Sequence, residues 1–181
     1  MRADASALVL VDYQARLMPL VHQGALALEE GLFLAKVARE LGVPVLGTEQ
    51  NPQGLGHNDE RIRAACDHTL PKVHFDATAD GLVEASSLHR PGLTQVVVAG
   101  CEAHVCLLQT ALGLARAGLR VFVVPSACGS RRPADHALAM QRLVACGLTL
   151  VNPEMVAFEW VRACTAERFK AVLGLVKSRP I

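Results

Sequence analysis

The chain has 181 residues, of which 51% are hydrophobic and 19% are charged, a composition typical of a globular domain and unlike a disordered segment. We therefore expect residues 1–181 to form a single domain. The formal net charge is +1 and no basic or acidic run occurs, which argues against nucleic-acid and anionic-membrane partners.

The cysteines and the first residues of the chain indicate the cellular compartment in which we expect the protein. Six cysteines are spread through apolar segments of a medium-sized chain, which favours free thiols over a disulfide framework. The first residues are short and polar, unlike a signal peptide, and no apolar run reaches membrane-spanning length. We therefore expect a cytoplasmic protein.

Short apolar runs alternate with segments of helical periodicity along the chain. The apolar runs predict strands at residues 7–12, 43–48, 70–75, 95–99, 119–124 and 148–151, the fifth ending at Pro125. Helical spacing predicts helices at 24–42, 79–89, 106–117, 133–146, 154–164 and 166–176, with one or two turns at 59–66 and a loop at 49–56. The alternation indicates βαβ units, and hence an α/β fold whose parallel sheet is covered on both faces.

Polar side chains stand at or near the ends of several predicted strands. Asp12 ends the first strand, Glu49 and Gln50 follow the second, and Lys72 lies in the third. Cys106 follows the fourth strand, at the predicted start of a helix. Parallel sheets bind ligands beyond the carboxyl ends of their strands, so these separate segments can deliver polar groups to one edge.

A thiol, a carboxylate and an ammonium form a workable set for covalent catalysis. The unpaired N–H groups and positive dipole at a helix start favour the thiolate of Cys106, and a nearby Lys72 would lower the pKa further. Asp12 would carry the proton, while backbone N–H groups between Gly100 and Cys106 would stabilise an oxyanion. Each side chain could instead have a purely structural role: Cys106 as a core residue, Asp12 as the cap of a turn, and Lys72 as a surface residue.

Other residues are weaker candidates. His104 precedes Cys106 by two positions, which suits a pocket or subunit contact better than a Cys–His dyad. His57 is equally compatible with a pocket and with solvent. Cys101 has no redox motif with Cys106, and the other cysteines are interpreted as core residues: Cys66, Cys128, Cys146 and Cys164. No spacing matches a structural zinc site or a dinucleotide fingerprint.

Two longer motifs contain several of these candidates. They are Thr48-Glu49-Gln50-Asn51-Pro52-Gln53-Gly54-Leu55-Gly56 and Gly100-Cys101-Glu102-Ala103-His104-Val105-Cys106. They resemble the TEQxPxGLG loop and the GxETHVC segment of the isochorismatase-like cysteine hydrolase family, especially its isochorismatase domain-containing members. The likeness runs from residue 7 to about residue 176.

The resemblance assigns roles to matching positions. It implies that Asp12 is the family's aspartate, Lys72 its lysine and Cys106 its nucleophile. It also implies a cis peptide bond between Cys101 and Glu102, with the backbone N–H groups of Glu102 and Cys106 binding the oxyanion. The implied fold is a three-layer αβα sandwich with a six-stranded parallel sheet of order 3-2-1-4-5-6, and the implied assembly is a homodimer or a higher homo-oligomer.

Two departures from the family pattern shape the prediction. Ala103 stands where the family usually has threonine, which removes a hydroxyl group from the site. Gln50 and Pro52 match positions at which nicotinamidases of the family hold a metal, and a proline side chain cannot ligate. We therefore predict neither a catalytic metal nor a cofactor.

Together, these observations predict a metal-independent cysteine hydrolase that cleaves an amide-like bond of a small-molecule substrate through a thiolate. Residues expected to contact the substrate are Gln14, Glu49, Gln50, Phe75, His104 and Arg131. The alternative is a catalytically silent oligomeric binding or scaffold protein with the same fold.

Overall fold

A computed structural model describes residues 1–179. Its strands are β1 (Ser6–Val11), β2 (Val45–Gln50), β3 (His68–Lys72), β4 (Gln95–Cys101), β5 (Arg120–Gly129) and β6 (Thr149–Leu150). They form one six-stranded sheet in the order β3-β2-β1-β4-β5-β6, and every neighbouring pair is parallel. The fold class and strand order are therefore confirmed.

Helices cover both faces of the sheet. They are α1 (Gly24–Glu40), α2 (Pro52–Leu55), α3 (Glu60–Ala65), α4 (Leu82–His89), α5 (Leu108–Arg116), α6 (Pro133–Ala145), α7 (Pro153–Val161) and α8 (Phe169–Lys177). Alternate residues of β1 enter two separate apolar clusters. Leu8 and Leu10 join the cluster that includes α1, α7 and α8, whereas Val9 joins the cluster that includes α5 and α6. The strand period of two thus gives the sheet an apolar layer on each side.

The segment predicted as a loop at 49–56 is more ordered than expected. Strand β2 continues to Gln50, and Pro52–Leu55 forms the short helix α2. Asn51 makes the transition with a φ of 38°, a left-handed conformation that asparagine tolerates. The fixed φ of Pro52 suits the first turn of a helix, which explains why a segment rich in turn residues becomes helical.

The prediction that Pro125 ends the fifth strand is wrong, because β5 continues to Gly129. Val98 of β4 pairs with Val123, and Gly100 pairs with Cys128, so the register shifts between these two pairs. Pro125 lies in this irregular stretch, where the missing N–H costs no regular ladder bond. The longer strand carries Gly129 to the same edge as Cys101, its partner on β4.

Two other boundaries affect the candidate residues. The third strand occupies His68–Lys72 instead of residues 70–75, so Phe75 lies in the segment after it. Cys106 lies in a π-helical turn, Ala103–Leu107, and α5 begins only at Leu108. Cys106 is therefore in the first turn of a helix, as predicted, but this turn is π-helical and leads into α5.

A glycine allows β1 and β4 to approach closely beside the candidate residues. Gly100 pairs with Val11 and has a φ of 140°. A Cβ atom at this position would lie 2.0 Å from the Val11 carbonyl oxygen, so no other residue fits without displacing the backbone. This contact holds Asp12, which follows Val11, next to the segment that leads to Cys106.

Across residues 1–179, no helix combines the length and apolar character needed to traverse a lipid bilayer.

Candidate active site

A buried ion pair lies at the carboxyl ends of β1 and β3. Lys72 Nζ lies 2.8 Å from Asp12 Oδ2, and both side chains are completely buried. Thr48 Oγ1 donates a hydrogen bond of 2.7 Å to Asp12 Oδ1 and so fixes the orientation of the carboxylate. The other carboxylate oxygen, Asp12 Oδ2, is the one that lies against the Lys72 ammonium. This oxygen can still accept a proton.

Cys106 is brought to this pair by the π-helical turn. Its Sγ lies 3.8 Å from Gln50 Oε1, which also accepts a hydrogen bond of 2.5 Å from Lys72 Nζ. Cys106 as a residue is 7% exposed, so little of it can be reached from solvent. The structure therefore gathers Asp12, Lys72 and Cys106 at one edge of the sheet, with Gln50 Oε1 in contact with both the ammonium and the sulfur.

The electrostatic environment opposes ionisation of the resting thiol. Burial raises the pKa of the Cys106 thiol to about 12, and the Asp12 carboxylate raises it as well, while Lys72 acts in the opposite direction. Desolvation disfavours the charged form, and a like charge nearby disfavours it further. The expectation of a lowered pKa is therefore wrong, and the resting group is a neutral thiol.

The segment before Cys106 has the expected special geometry. The peptide bond between Cys101 and Glu102 is cis, as the resemblance implied. Glu102 Oε1 accepts hydrogen bonds from the backbone N and the Nε of Arg131, at 3.1 and 3.0 Å. His104 Nδ1 lies 3.0 Å from Ser130 Oγ. These contacts tie the turn to the residues that follow β5.

The buried thiols are not all in this site. Cys101 is fully buried in an apolar cluster with core residues of α1, and burial raises its pKa above the usual range. Burial also raises the pKa of the Cys66 and Cys128 thiols to about 12. Cys146 and Cys164, which the sequence placed in the core, are exposed. That interpretation is corrected, because both positions lie just beyond helix ends, at the surface.

Gln14 does not face the thiol. Its Nε2 donates to the carbonyl oxygens of Gln50 and Gly56, at 3.0 and 2.6 Å, and its Oε1 accepts from the Gln50 backbone N at 3.0 Å. The side chain therefore anchors the segment between β2 and α3, and its polar atoms are already used by the backbone.

Glu49 also points away from the thiol. Successive residues of a strand face opposite sides, so Thr48 and Gln50 face the ion pair and Glu49 faces the other layer. There its carboxylate accepts a hydrogen bond of 2.9 Å from the Asn58 backbone N and lies 2.9 Å from His57 Nδ1. The latter contact gives His57 a place in loop anchoring.

Phe75 lies in the segment that follows β3, with 51% of its surface exposed. Its carbonyl oxygen accepts a hydrogen bond of 3.2 Å from Thr110 Oγ1, which fixes the backbone of this segment. Val73 in the same segment is 71% exposed. Two exposed apolar side chains therefore follow Lys72 in the chain.

Sequence reasoning missed Thr48. The signal was available, because Thr48 and Gln50 are two positions apart on one strand and so share a face. Its hydroxyl is completely buried against the Asp12 carboxylate and satisfies one of the two oxygens.

The residues at the position matching the nicotinamidase metal site do not fit a metal. Gln50 Oε1 is used by Lys72, and Gln50 Nε2 donates to the Val73 carbonyl oxygen at 2.8 Å. Pro52 has no ligating atom. Among residues 1–179, no group of three or more His, Cys, Asp or Glu side chains has an arrangement that could hold a metal ion.

A cleft of about 310 Å³ opens beyond the carboxyl end of β5, lined by His22, Cys128, Gly129, Ser130 and His136 among others. Cys106 does not line it, but Ser130 connects the cleft to His104 and so to the turn that carries the thiol.

Comparisons with known proteins identify the family of the chain. The family model for the isochorismatase domain matches residues 6–154. Isochorismatase domain-containing protein 2 from Bos taurus is 36% identical over 173 residues, which cover 96% of this chain and 83% of that protein. Isochorismatase domain-containing protein 1 from Danio rerio is 34% identical over 167 residues, covering 92% of this chain. The chain spans only 59% of the length of the Danio rerio protein.

Solved structures share the fold. A protein described as MAR1 ribonuclease from Caenorhabditis elegans matches with a TM-score of 0.91 and 28% identity, over 100% of this chain and 94% of that chain. YcaC from Pseudomonas aeruginosa, described with hexane-2,5-diol and covalent acrylamide, matches with a TM-score of 0.87 and 27% identity, over 97% and 90% of the two chains. The family match, the relatives and the strand order all agree, and this chain belongs to the isochorismatase family of hydrolases.

Proposed function

We propose that this protein is a metal-independent cysteine hydrolase that cleaves an amide-like C–N bond of a small-molecule substrate. Cys106 is the nucleophile, Asp12 the acid/base group and Lys72 the electrostatic support. The observation that carries the proposal is the completely buried Asp12–Lys72 pair beside the Cys106 thiol. Buried charges are costly unless paired, and such clusters at the carboxyl edge of a parallel sheet are typical of catalytic sites.

The first half-reaction acylates the sulfur. Asp12 Oδ2 accepts the thiol proton while Sγ forms a bond to the substrate carbonyl carbon, and the carbonyl electron pair moves to oxygen. The backbone N–H groups of Glu102 and Cys106 stabilise this oxyanion, a contribution of about 3–4 kcal/mol for one donor in systems where it was removed. The intermediate collapses, the C–N bond breaks, and the leaving nitrogen takes the proton from Asp12. A thioester remains on Cys106.

The second half-reaction releases the acid. A water molecule attacks the thioester carbon and gives a proton to Asp12, again producing an oxyanion. The C–S bond then breaks, and the proton on Asp12 returns to the sulfur. Asp12 thus ends each cycle as a carboxylate, and Lys72 keeps its positive charge throughout. Phe75, His104 and Arg131 are the residues we expect beside the substrate.

Properties of the relatives support this reading. The Pseudomonas aeruginosa YcaC structure holds acrylamide covalently, and acrylamide is a small amide that reacts with nucleophiles such as thiols. The YcaC product of Escherichia coli, which shares the fold with a TM-score of 0.83 at 23% identity, is described as an octameric hydrolase. By analogy we propose that this chain also forms a homo-oligomer. The spread of six free cysteines supports the further proposal that it acts in the reducing cytoplasm.

The testing experiment labels the native protein with acrylamide and measures adduct formation at each cysteine by mass spectrometry. Exposed thiols react through the thiolate they form by losing a proton to water, so their labelling rises about tenfold per pH unit below the thiol pKa. Cys146 and Cys164 are the internal examples of exposed cysteines. We expect Cys106 to label at a rate that is nearly constant between about pH 6 and 8, because Asp12 removes its proton within the site.

The matched control is Asp12→Asn. Asn fits the left-handed φ of 52° at this position, so the backbone is retained while the base is lost. Cys106 labelling should fall to near zero, with no change at the two exposed cysteines. Labelling of Cys106 that is slower than that of exposed cysteines and unaffected by Asp12→Asn would refute the mechanism and favour a silent scaffold.

Substrate class is tested with a panel of amides, ureides and carbamoyl compounds, monitored for a trapped acyl adduct on Cys106. RNA is included because one structural neighbour is described as a ribonuclease. Cleavage of RNA that persists in Cys106→Ser would contradict the proposed chemistry, whereas amide cleavage lost in Cys106→Ser supports it.

A further inference from the structure

We propose that Gln50 is a positioning residue that accepts the hydrogen bond of the Cys106 thiol at rest and engages one N–H of the neighbouring Lys72 ammonium until a substrate arrives. This inference rests on the proposed function of Cys106. It also changes the interpretation of Gln50 itself, which the sequence analysis expected to contact the substrate.

The first observation is that Gln50 Oε1 accepts from two donors. Lys72 Nζ lies 2.5 Å away, and Cys106 Sγ lies 3.8 Å away with the geometry of a thiol donor. Sulfur hydrogen bonds are longer than those of oxygen or nitrogen, and the thiol is a weak donor. One side-chain oxygen therefore contacts both the ammonium and the nucleophile.

The second observation is that the amide cannot easily turn over. Gln50 Nε2 donates to the Val73 carbonyl oxygen at 2.8 Å, and the Gln50 backbone N donates to Gln14 Oε1 at 3.0 Å. The flipped amide would direct its NH₂ group at the Lys72 ammonium and its oxygen at a carbonyl oxygen, which is unfavourable on both sides. The oxygen is thus fixed towards Lys72 and Cys106.

The third observation concerns the base. The thiol has the geometry of a donor to Gln50 Oε1, and Asp12, the carboxylate that must receive the proton, also interacts with the thiol. Rotation about the Cβ–Sγ bond of Cys106 redirects the proton from Gln50 to Asp12. The resting arrangement therefore has a stable thiol, and the reactive one requires the Gln50 contact to break.

The other charged groups around the thiol are accounted for. Asp12 approaches from the end of β1, and Lys72 from the end of β3. On the segment that carries Cys106, Glu102 is paired with Arg131, and His104 contacts Ser130. Gln50 is a neutral side chain whose Oε1 contacts both the ammonium and the sulfur.

Two substitutions at Gln50 should act in opposite directions. Gln50→Met keeps the length of the side chain but removes the oxygen, so the thiol loses its resting acceptor and a Lys72 N–H is free to turn to the sulfur. Both effects favour the thiolate, so we expect Cys106 labelling by acrylamide to become about tenfold faster. This factor corresponds to the free energy of one weak charge-assisted hydrogen bond. Gln50→Glu adds a carboxylate that retains Lys72 and opposes the thiolate.

The experiment measures the rate of acrylamide labelling at Cys106 against pH for the native protein, Gln50→Met and Gln50→Glu. In Gln50→Glu the rate should fall as the introduced carboxylate ionises, which gives a new inflection that the native protein lacks. In Gln50→Met the whole profile should rise without an inflection. The infrared S–H stretch of Cys106, isolated by subtraction of the Cys106→Ser spectrum, should move to higher frequency in Gln50→Met because the acceptor is gone.

Glu49→Gln is the matched control, since Glu49 precedes Gln50 on β2 but faces the other layer, where its carboxylate contacts Asn58 and His57. It should leave the S–H band and the shape of the pH profile as in the native protein. Equal rates in the native protein and Gln50→Met, or a rise with both Gln50 substitutions, overturns the positioning role while Cys106 remains the nucleophile. Absence of Cys106 labelling in the native protein overturns the proposed function itself, and this inference with it.

Discussion

Replacing Lys72 with methionine tests the physical basis of the site. Methionine nearly preserves the volume of the side chain and removes the charge. The Asp12 carboxylate then remains completely buried without the ammonium that compensates its charge, while the Thr48 hydroxyl still donates to it. Removing one member of a buried ion pair costs about 3–5 kcal/mol, because the other charge is left without compensation. Since domains of this kind are stable by about 5–15 kcal/mol, the loss should be large.

The double variant Asp12→Asn/Lys72→Met separates the charge effect from the loss of packing. It removes both charges, and asparagine keeps an oxygen that can accept from Thr48 as well as a backbone that tolerates a φ of 52°. We expect it to be more stable than Lys72→Met alone. The coupling energy between the two substitutions should be about 1–3 kcal/mol, the upper part of the range for contacting residues.

Urea unfolding of the native protein, both single variants and the double variant at neutral pH gives this coupling directly. Cys106 labelling should also slow in Lys72→Met, since the cation no longer favours the thiolate. If Lys72→Met fails to fold while the double variant folds, the reasoning is supported. Losses that simply add, with the double variant the least stable, would refute it, because the two side chains would then not behave as a buried pair.

Three further predictions concern the scaffold. The buried Tyr13 hydroxyl donates to the Ala127 carbonyl oxygen, so Tyr13→Phe should cost about 1–3 kcal/mol in urea unfolding, and no loss would contradict the assigned bond. Gly100→Ala places a Cβ against the Val11 carbonyl oxygen and should lower the free energy of unfolding by about 3 kcal/mol or more. It should also slow Cys106 labelling. Native stability and native labelling in this variant would contradict the close approach. Burial raises the pKa of the Cys128 thiol to about 12, so the unfolded chain ionises first, near pH 8.5. The contribution of the neutral thiol to stability is complete below that pH and is lost at about 1.4 kcal/mol per pH unit as the pH rises towards 12. Between about pH 8.5 and 10, the stability of Cys128→Ala should therefore fall less steeply than that of the native protein, by about 1.4 kcal/mol per pH unit.

The strand order 3-2-1-4-5-6 was expected from the family resemblance. The local sequence pattern itself predicted an α/β fold with a parallel sheet, because apolar runs and helical spacing have distinct periods and their alternation indicates βαβ units. It failed where tertiary context overrides local signals. Pro125 is a strand breaker by itself, yet the register shift between β4 and β5 removes the need for its N–H. Pro52 and its turn-forming neighbours predict a loop, and a left-handed Asn51 converts the segment into a short helix.

The candidate site was predictable in part for a similar reason. The rule that parallel strands end at one edge identified Asp12, Lys72 and Cys106, and the structure brings them together. It could not separate Glu49 from Gln50, because adjacent residues at a strand end face opposite layers and the face depends on where the strand starts. Knowing that Thr48 contacts Asp12 settles the face of Gln50 as well.

The charge of the thiol was predicted wrongly because burial affects its pKa more strongly than the helix dipole does. A helix start favours a nearby anion by about 0.3–1 kcal/mol, and by about 2 kcal/mol at most. The rise in the pKa of Cys106 from 9.0 to about 12 corresponds to about 4 kcal/mol, and its causes are burial first and the Asp12 carboxylate second. Burial therefore outweighs the dipole, and also the Lys72 cation.

A raised pKa does not prevent the proposed reaction, because it describes loss of the proton to water. That loss adds a net negative charge to a buried site that holds one carboxylate and one ammonium. Transfer of the same proton to Asp12 leaves the total charge unchanged, and it also neutralises the carboxylate that opposed the thiolate. The sulfur then faces the Lys72 ammonium without a competing anion. The two routes of proton loss predict different pH dependence for the labelling rate of Cys106. Transfer to Asp12 gives a nearly constant rate near neutral pH, whereas loss of the proton to water gives a rate that rises about tenfold per pH unit.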